Sequence, residues 1–410
     1  MTPSSPALCL ITPGHVASTP RLVKNADALA AAGYRVHVVC GRHFPPADRL
    51  DAEIFAMARW THTQVEFGGA AAAPAKIVGR AARLLGRTGA LPGFLAARAH
   101  QPLVGALAAA AARVPADLYF GHGLAGLPAA AAAARRRGRP YGFDAEDFHD
   151  AETAEAAADP VESAARRRIQ SDLIPGCAVF TAASPLIARA YARAYGREPL
   201  PLLNVFPLEQ APAAPAVPAP LSDGRPARLY WFSQTVGPGR GLEAMAAAIG
   251  RMRIPAELHL RGFVDRRYAA ELEARAGAPG RIHFLAPAAP GEMARLAAEF
   301  DLGLSTEESN PPNRDLCLTN KIFIYLLAGI PQLLSDTSAQ SALAPELGAA
   351  ALLGSLADPS GVAHRLDAFF ADSPGVAAAR AAAWRLARER FCWDLEQRRL
   401  LQAVAGALPL

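Results

Sequence analysis

The sequence predicts an α/β protein built from two doubly wound, Rossmann-like domains, and three observations predict it. The chain has 410 residues, more than one ordinary core accommodates and enough for two. A strand, helix, strand alternation opens the chain and starts afresh at residue 228. Between the two runs, residues 205–227 are rich in proline and alanine and lack apolar periodicity, which suits an extended interdomain linker. The expected first domain is therefore 1–204 and the second begins at 228.

Composition bounds the function. Hydrophobic residues make up 51% of the chain, largely through alanine, as in a folded globular protein. Lys plus Arg number 42 against 37 Asp plus Glu, a net charge of +5 that is too mild to imply nucleic acid. Cys9, Cys40, Cys177, Cys317 and Cys392 stand far apart with no CxxC pair, which speaks against a disulfide framework or a zinc site and for a reducing cytoplasm. The apolar run ALCLI near the N-terminus has no basic residue before it and reads as neither signal peptide nor anchor. No stretch reaches 18 uninterrupted apolar residues.

In the first half, residues 7–12 read as a buried strand, followed by a turn at Pro13–Gly14–His15, a helix from about Pro20 to Ala32 and a strand at 35–40. Doubly wound sheets bind ligands at the carboxyl ends of their strands, which makes Thr12 to Arg21 a candidate ligand loop; it lacks a dinucleotide fingerprint. Residues 67–116 contain no acid but carry Lys76, Arg80, Arg83, Arg87, Arg98 and Arg113, interleaved with Ile77, Val78, Leu84, Leu85, Leu91, Phe94 and Leu95. Such a block fits either an anionic membrane surface or an ordinary solvated helix face. Strands at 117–122 and 177–182 flank a polyalanine helix and the segment PYGFDAEDFHD, and a helix spans Pro185 to about Tyr195. His122, Asp144, Glu146 and Asp147 thus fall at strand carboxyl ends, where a histidine serves either chemistry or capping.

The second half carries two linked features. After a strand at 228–232, the turn SQTVGPGRGLE holds Gly237, Gly239 and Gly241, whose missing side chains let backbone N–H groups approach a ligand, with Arg240 at the start of the next helix. Strands follow at 256–261, 281–285 and 300–304. A helix opened by Thr319 or Asn320 is then apolar almost all round from Ile322 to Leu327, ends at Gly329 and Pro331, and leads into a strand at 331–335. Lys321 in the first turn of so buried a helix either faces an anion such as a phosphate or snorkels to solvent. Arg240 and Lys321 are expected at one edge of one sheet, able to grip a single phosphate group.

Five segments in order resemble the GT-B glycosyltransferases, in particular the retaining family 4 group. PADLYFGHG at 115–123 is similar to "pDvvhaHg", LLNVFPLE to the "vipN" approach to the hinge, GPGRGLE to "KGle" with Arg240 in the lysine's place, LTNKIFIYLLAGIP to "lpnKlfEYlaaGiP", and FCWD at 391–394 to "fsWe". The resemblance covers nearly the whole chain. It implies the GT-B architecture, two domains facing across a cleft, with 228–385 binding a nucleotide-diphosphate sugar, 1–204 binding the acceptor, and a C-terminal helix in 386–410 packing back across both. The donor side would comprise Gly14, Ser233, Gln234, Gly237, Gly239, Arg240, Gly241, Glu307, Glu308, Arg314, Asn320 and Lys321, and the acceptor side Arg21, Asp144, Glu146 and Asp147. His122, Arg240 and Lys321 would be the catalytic set, the two cations neutralising the leaving diphosphate with no metal and no cofactor.

The sequence also departs from that group. Ile324 and Leu316 stand where its paired EX7E glutamates belong, Glu146 stands where many members have histidine, and the group's "vGRl" arginine is replaced by Ser233, Gln234 or Thr235 in what reads as a turn. An outlying subfamily follows, with Glu307, Glu308, Arg314 or Asp315 as substitute ribose contacts. The leading expectation is a metal-independent, retaining hexosyltransferase of polysaccharide biosynthesis. It would be cytoplasmic, with peripheral contact at the inner membrane face through 67–116, and would act on a glycan, lipid-linked glycan or natural product. The competing expectations are a non-catalytic GT-B partner protein and a sugar-nucleotide epimerase of the same fold. A pyridoxal-phosphate phosphorylase is disfavoured, because Lys24, Lys76 and Lys321 lack a fitting context.

Overall fold

The computed structural model describes residues 5–68, 72–89, 91–154, 157–216, 221 and 224–408. The chain divides into two compact units, Met1–Leu202 with Gln397–Leu410, and Leu203–Glu396. The division falls at Leu202/Leu203, so the described part of the proline-rich 205–227 stretch belongs to the second unit.

Unit 1 runs β1 (Ala7–Thr12), α1 (Pro20–Ala31), β2 (Arg35–Arg42), α2 (Asp48–Met57), β3 (Thr61–Glu66), α3 (Ala73–Gly86), α4 (Gly93–His100), α5 (Val104–Arg113), β4 (Leu118–His122), α6 (Gly126–Arg137), β5 (Tyr141–Ala145), α7 (Pro160–Leu173), β6 (Val179–Ala182), α8 (Pro185–Tyr195) and β7 (Leu200–Pro201). Its strands form one parallel sheet in the order β3-β2-β1-β4-β5-β6-β7. A central parallel strand is covered on both faces, which explains why β1 and β4 are buried along their whole length. The polyalanine helix α6 lies close on this sheet because glycine meets glycine: a Cβ on Gly121 would stand 2.4 Å from the Gly126 carbonyl carbon. α2, β3 and β7 carry weak local signals and were not legible in advance; β3 is an edge strand with four of its six residues exposed.

Unit 2 runs β8 (Ala227–Val236), α9 (Leu242–Ile249), β9 (Ala256–Val264), α10 (Arg266–Ala276), β10 (Ile282–Leu285), α11 (Met293–Ala297), β11 (Leu302–Ser305), α12 (Pro312–Leu316), α13 (Asn320–Ala328), β12 (Gln332–Ser335), α14 (Ser338–Leu347), β13 (Ala351–Gly354), α15 (Pro359–Ala371), α16 (Ser373–Glu389) and α17 (Trp393–Ala407), the last crossing into the residues counted with unit 1. The order β10-β9-β8-β11-β12-β13 is again all parallel. Leu229, Trp231, Leu258, Leu260 and Leu302 pack with Met245, Ile249 and Leu272 of α9 and α10 into one core. The approach to this sheet is clamped rather than loose. The Leu203 N–H donates to Glu396 Oε1 at 2.8 Å, the Leu208 N–H to Asp394 Oδ2 at 2.9 Å, and the Trp393 N–H to the Phe206 carbonyl at 2.9 Å.

Each sheet reverses its winding direction once, between β1 and β4 in unit 1 and between β8 and β11 in unit 2. At such a reversal the loops on the two central strands turn to opposite sides and leave a crevice at the carboxyl ends. The loops at those positions carry Gly14 and His15 in unit 1, where His122 ends β4, and Arg240 and Glu307 in unit 2.

Candidate active site

In unit 2, three charged side chains from three elements converge. Glu307, just past β11, is buried; its Oε1 accepts from Lys321 Nζ at 2.8 Å and its Oε2 from Arg240 Nη1 at 2.9 Å. Burial alone would raise the Glu307 pKa, but the two cations outweigh it and hold the carboxyl below its usual range. Lys321 therefore does not snorkel: its side chain is buried, paired with Glu307 and 5.0 Å from the Trp231 ring centroid. Arg240 keeps 35% of its side chain exposed and is the cation of the pair that solvent reaches.

The surrounding backbone fixes this cluster. Gly239 and Gly241 adopt φ of +74° and +68°, and a Cβ at Gly241 would come within 2.5 Å of Leu356 Cδ1. Gly241 is the N-cap of α9, so the glycines shape the loop that presents Arg240. Arg314 Nη1 donates to the Gly239 carbonyl at 2.6 Å, and Thr306 Oγ1 to the Arg240 carbonyl at 2.9 Å. α13 is pressed onto the sheet by Tyr325, whose hydroxyl lies 3.0 Å from the Tyr230 carbonyl and 3.2 Å from that of Leu304. Gly303 makes room for it, since a Cβ there would stand 2.3 Å from the Tyr325 ring.

In unit 1, His122 ends β4 and Asp144 lies in register beside it on β5. Asp144 is the hub: it accepts both Nε (2.7 Å) and Nη2 (2.8 Å) of Arg21, Oγ1 of Thr181 (2.5 Å), and stands 3.1 Å from His122 Nδ1. Despite burial, Arg21 and His122 hold the Asp144 carboxyl far below its usual range. A proton on Nδ1 faces the carboxylate, leaving the buried His122 Nε2 with no hydrogen-bond partner among the described residues. Close by, burial pushes Glu146 up to about 7 against the pull of Arg21, and burial with Arg21 pulls Lys24 down to about 7. His15 is held from both sides, its Nδ1 2.7 Å from Asp51 and its Nε2 accepting the N–H groups of His43 (3.0 Å) and Phe44 (2.9 Å). That arrangement ties the Gly14 loop to α2 and to the end of β2. Beside it, Pro13, His43, Phe67, Lys76, Gln101 and Leu103 line a cleft of about 300 Å³.

Several expectations need correction. Ser233 and Gln234 are not in a turn; they form a bulge inside β8, whose pairing with β9 resumes at Thr235 and Val236, so the turn begins at Gly237. Arg21 and Asp144 do not present themselves to an acceptor: both are about 1% exposed, and each satisfies the other. Asp315 is engaged in accepting from Ser309 Oγ at 3.0 Å and the Ser338 N–H at 2.9 Å, which holds the start of α14. Glu308 and Asn320 are exposed, Glu146 and Asp147 half-buried, and Ile324 is 1% exposed in the core. The hub role of Asp144, the Thr181 contact and the His15–Asp51 pair had no local signal, since their partners lie 123, 37 and 36 residues apart.

No family model and no curated protein sequence matches the chain. Solved structures do. HepE of Anabaena in complex with UDP and glucose is 16% identical, covers 98% of this chain and 99% of its own, and gives a TM-score of 0.72. Sucrose-phosphate synthase from Thermosynechococcus elongatus is 14% identical over 98% of both chains with a TM-score of 0.68. The lipopolysaccharide outer core galactosyltransferase WaaB, in its apo form, is 12% identical over 98% of this chain and 100% of its own with a TM-score of 0.61. The fold is thus the GT-B fold of two parallel α/β units.

Proposed function

We propose that this chain is a glycosyltransferase that moves a sugar from a nucleoside-diphosphate sugar to a carbohydrate or lipid-linked acceptor, as a retaining, family 4-like enzyme in polysaccharide assembly. The observation that carries the reading is the convergence of Arg240 and Lys321 on Glu307 at the winding reversal of the second sheet. Two fixed cations and a glycine loop at a helix N-terminus suit a diphosphate, whose negative charge grows as the sugar leaves. Being positioned before the substrate arrives, they stabilise that charge without reorganising, and they supply the role a metal ion plays elsewhere. Glu307 offers the carboxylate that Ile324 lacks, so a further contact, beyond its two cations, would be a donor hydroxyl, with Arg314 of α12 bound to the same glycine loop. His122 Nε2, oriented through Nδ1 by Asp144, would meet the donor sugar or the reacting hydroxyl. HepE and WaaB, a UDP-bound protein and a galactosyltransferase, add support from shared architecture.

The acceptor reading rests on unit 1. α3 and α4 expose Ile77, Leu84 and Phe94 by 64–65%, and Val78 and Leu85 by 42% and 50%, beside the exposed cations Lys76, Arg80 and Arg87. A folded helix face with this composition fits an anionic lipid surface. Lys76 of α3 also lines the cleft beside Pro13 and His43, which favours a lipid-linked acceptor over a free glycan. No helix among the described residues is long and apolar enough to cross a membrane.

A thermal-shift panel of UDP-, GDP- and dTDP-sugars tests the proposal. At least one should raise the melting temperature of the wild type, and the rise should vanish in Arg240→Ala. No shift and no turnover with any of them would sink the reading. Donor consumed without an acceptor, its nucleotide still attached, would instead indicate the epimerase. Unchanged cellular function in Arg240→Ala and Lys321→Met would indicate a non-catalytic partner.

A further inference from the structure

The second sheet carries a group of side chains that the proposed reaction does not use. Glu257 and His259 alternate on one face of β9, and His283 on edge strand β10 is the direct register partner of His259. This is the face opposite Leu258, Leu260 and Ile282, which enter the core beneath α9 and α10. The two imidazoles stack with centroids 4.4 Å apart, and both direct Nε2 at one carboxylate oxygen: Glu257 Oε2 lies 3.1 Å from His259 and 3.3 Å from His283. One potential ligand atom from each residue lies within 4.8 Å of the others.

We propose that Glu257, His259 and His283 form a binding site for a first-row divalent transition-metal ion, zinc foremost, separate from the donor site. At zinc bond lengths of about 2.0–2.1 Å, two ligand atoms on a tetrahedral ion stand about 3.3 Å apart, which is the spacing seen from Glu257 to each histidine. His283 Nε2 is shielded from solvent and makes no hydrogen bond, although a carboxylate lies beside it. An unsatisfied nitrogen of that kind is a penalty in the apo protein, and a metal ion removes it. Two imidazoles and one carboxylate suit zinc, cobalt or nickel rather than calcium or magnesium, which require oxygen.

Two arginines lie near the cluster: Arg228 on β8 is the register partner of Glu257, and Arg261 follows His259 by two residues on β9. Arg228 lies over the Phe300 ring at 4.7 Å and donates to the Glu299 carbonyl, while Arg261 donates to the Tyr230 hydroxyl and the Ala286 carbonyl. Both guanidinium groups are thus held by other partners. The three ligands come from the amino-terminal half of β9 and from the start of the edge strand β10, whereas Arg240 and Glu307 sit on loops after β8 and β11. The ion would therefore tie the edge strand to its neighbour and would not enter sugar transfer.

The test uses the full chain, freed of metal by chelator and titrated with zinc against a chromophoric competitor, and then with cobalt(II). The expected result is one zinc per chain. Glu257→Gln and His283→Ala should each weaken binding by at least roughly tenfold. His364→Ala, an exposed histidine on α15, should leave it unchanged. Cobalt should give ligand-field bands without thiolate charge transfer, which sets aside the five cysteines. Zinc should also raise the melting temperature of the wild type and not that of His283→Ala, whose edge position lets the variant fold. Affinity weaker than about 100 μM, an undiminished affinity in His283→Ala, or thiolate bands would overturn the proposal.

Discussion

Glu307 decides how the two candidate donor cations behave. With a carboxylate between them, Lys321 stays charged inside an otherwise apolar helix, and Arg240 is aimed by one oxygen of a group whose other oxygen is taken. Glu307→Gln would leave Lys321 buried beside a neutral amide, and breaking one side of a buried pair costs about 3 kcal/mol or more. The pH dependence has a definite sign. Because the cations depress the Glu307 pKa in the folded state, its contribution is complete above the unfolded carboxylate value of about 4.3 and drains away as pH falls through the lower folded value. Thermal melts between pH 7 and 3 should therefore show a lower melting temperature for Glu307→Gln at neutral pH, with the gap to wild type closing in acid. A constant gap would mean that the carboxylate's charge is not what matters. His122 poses a different question, since its Nε2 supports nothing in the fold. His122→Ala should leave the donor-induced thermal shift intact while lowering turnover by about a hundredfold, the lower end of what a positioned acid or base contributes. A loss of donor binding without a kcat effect would move His122 out of the chemistry.

At the scale of the element, α3 and α13 are opposites. Both mix large apolar residues with a basic residue, yet every residue of α13 from Lys321 to Ala328 is buried, while α3 turns Ile77, Leu84 and Leu85 to solvent. The difference lies in placement: α13 packs on β11 through Tyr325, whereas α3 buries only its Gly79 and Ala82 side. The exposed face gives a direct prediction. Ile77→Asp with Leu84→Asp should cost little stability, because neither side chain is in the core, but should abolish cosedimentation with vesicles containing anionic lipid. Wild-type binding should weaken as salt rises, since each juxtamembrane cation is worth about 1 kcal/mol only within a Debye length of the surface. Binding that is equal for neutral vesicles, or unchanged by the double substitution, would reduce this face to an ordinary solvated helix. The bulge at Ser233 and Gln234 teaches the same lesson in a strand. Polar residues there read as a turn, but pairing with β9 carries the strand on to Val236.

For the whole molecule, a donor that binds only the native state must stabilise it, by about 2.7 kcal/mol at a hundred times its dissociation constant. That is why a melting-point panel discriminates among sugars before any acceptor is known. The architecture was legible in advance because parallel α/β units write themselves locally: each buried strand is a short apolar run, each helix is punctuated by glycine or proline, and strand carboxyl ends collect ligand loops wherever the sheet reverses. The sequence by itself therefore determined two doubly wound units, the glycine loop around Arg240, and the placing of Lys321, His122 and Asp144 near strand ends or helix starts. It left Lys321 between an anion and solvent. Only the tertiary structure decided that Glu307 meets both cations, that Asp144 spends itself on Arg21 and orients His122, and that His259 and His283 share one carboxylate. Those pairings depend on strand register and helix docking across tens of residues, and in a parallel sheet neighbouring strands are joined by whole helices, so no local pattern records which side chains will meet.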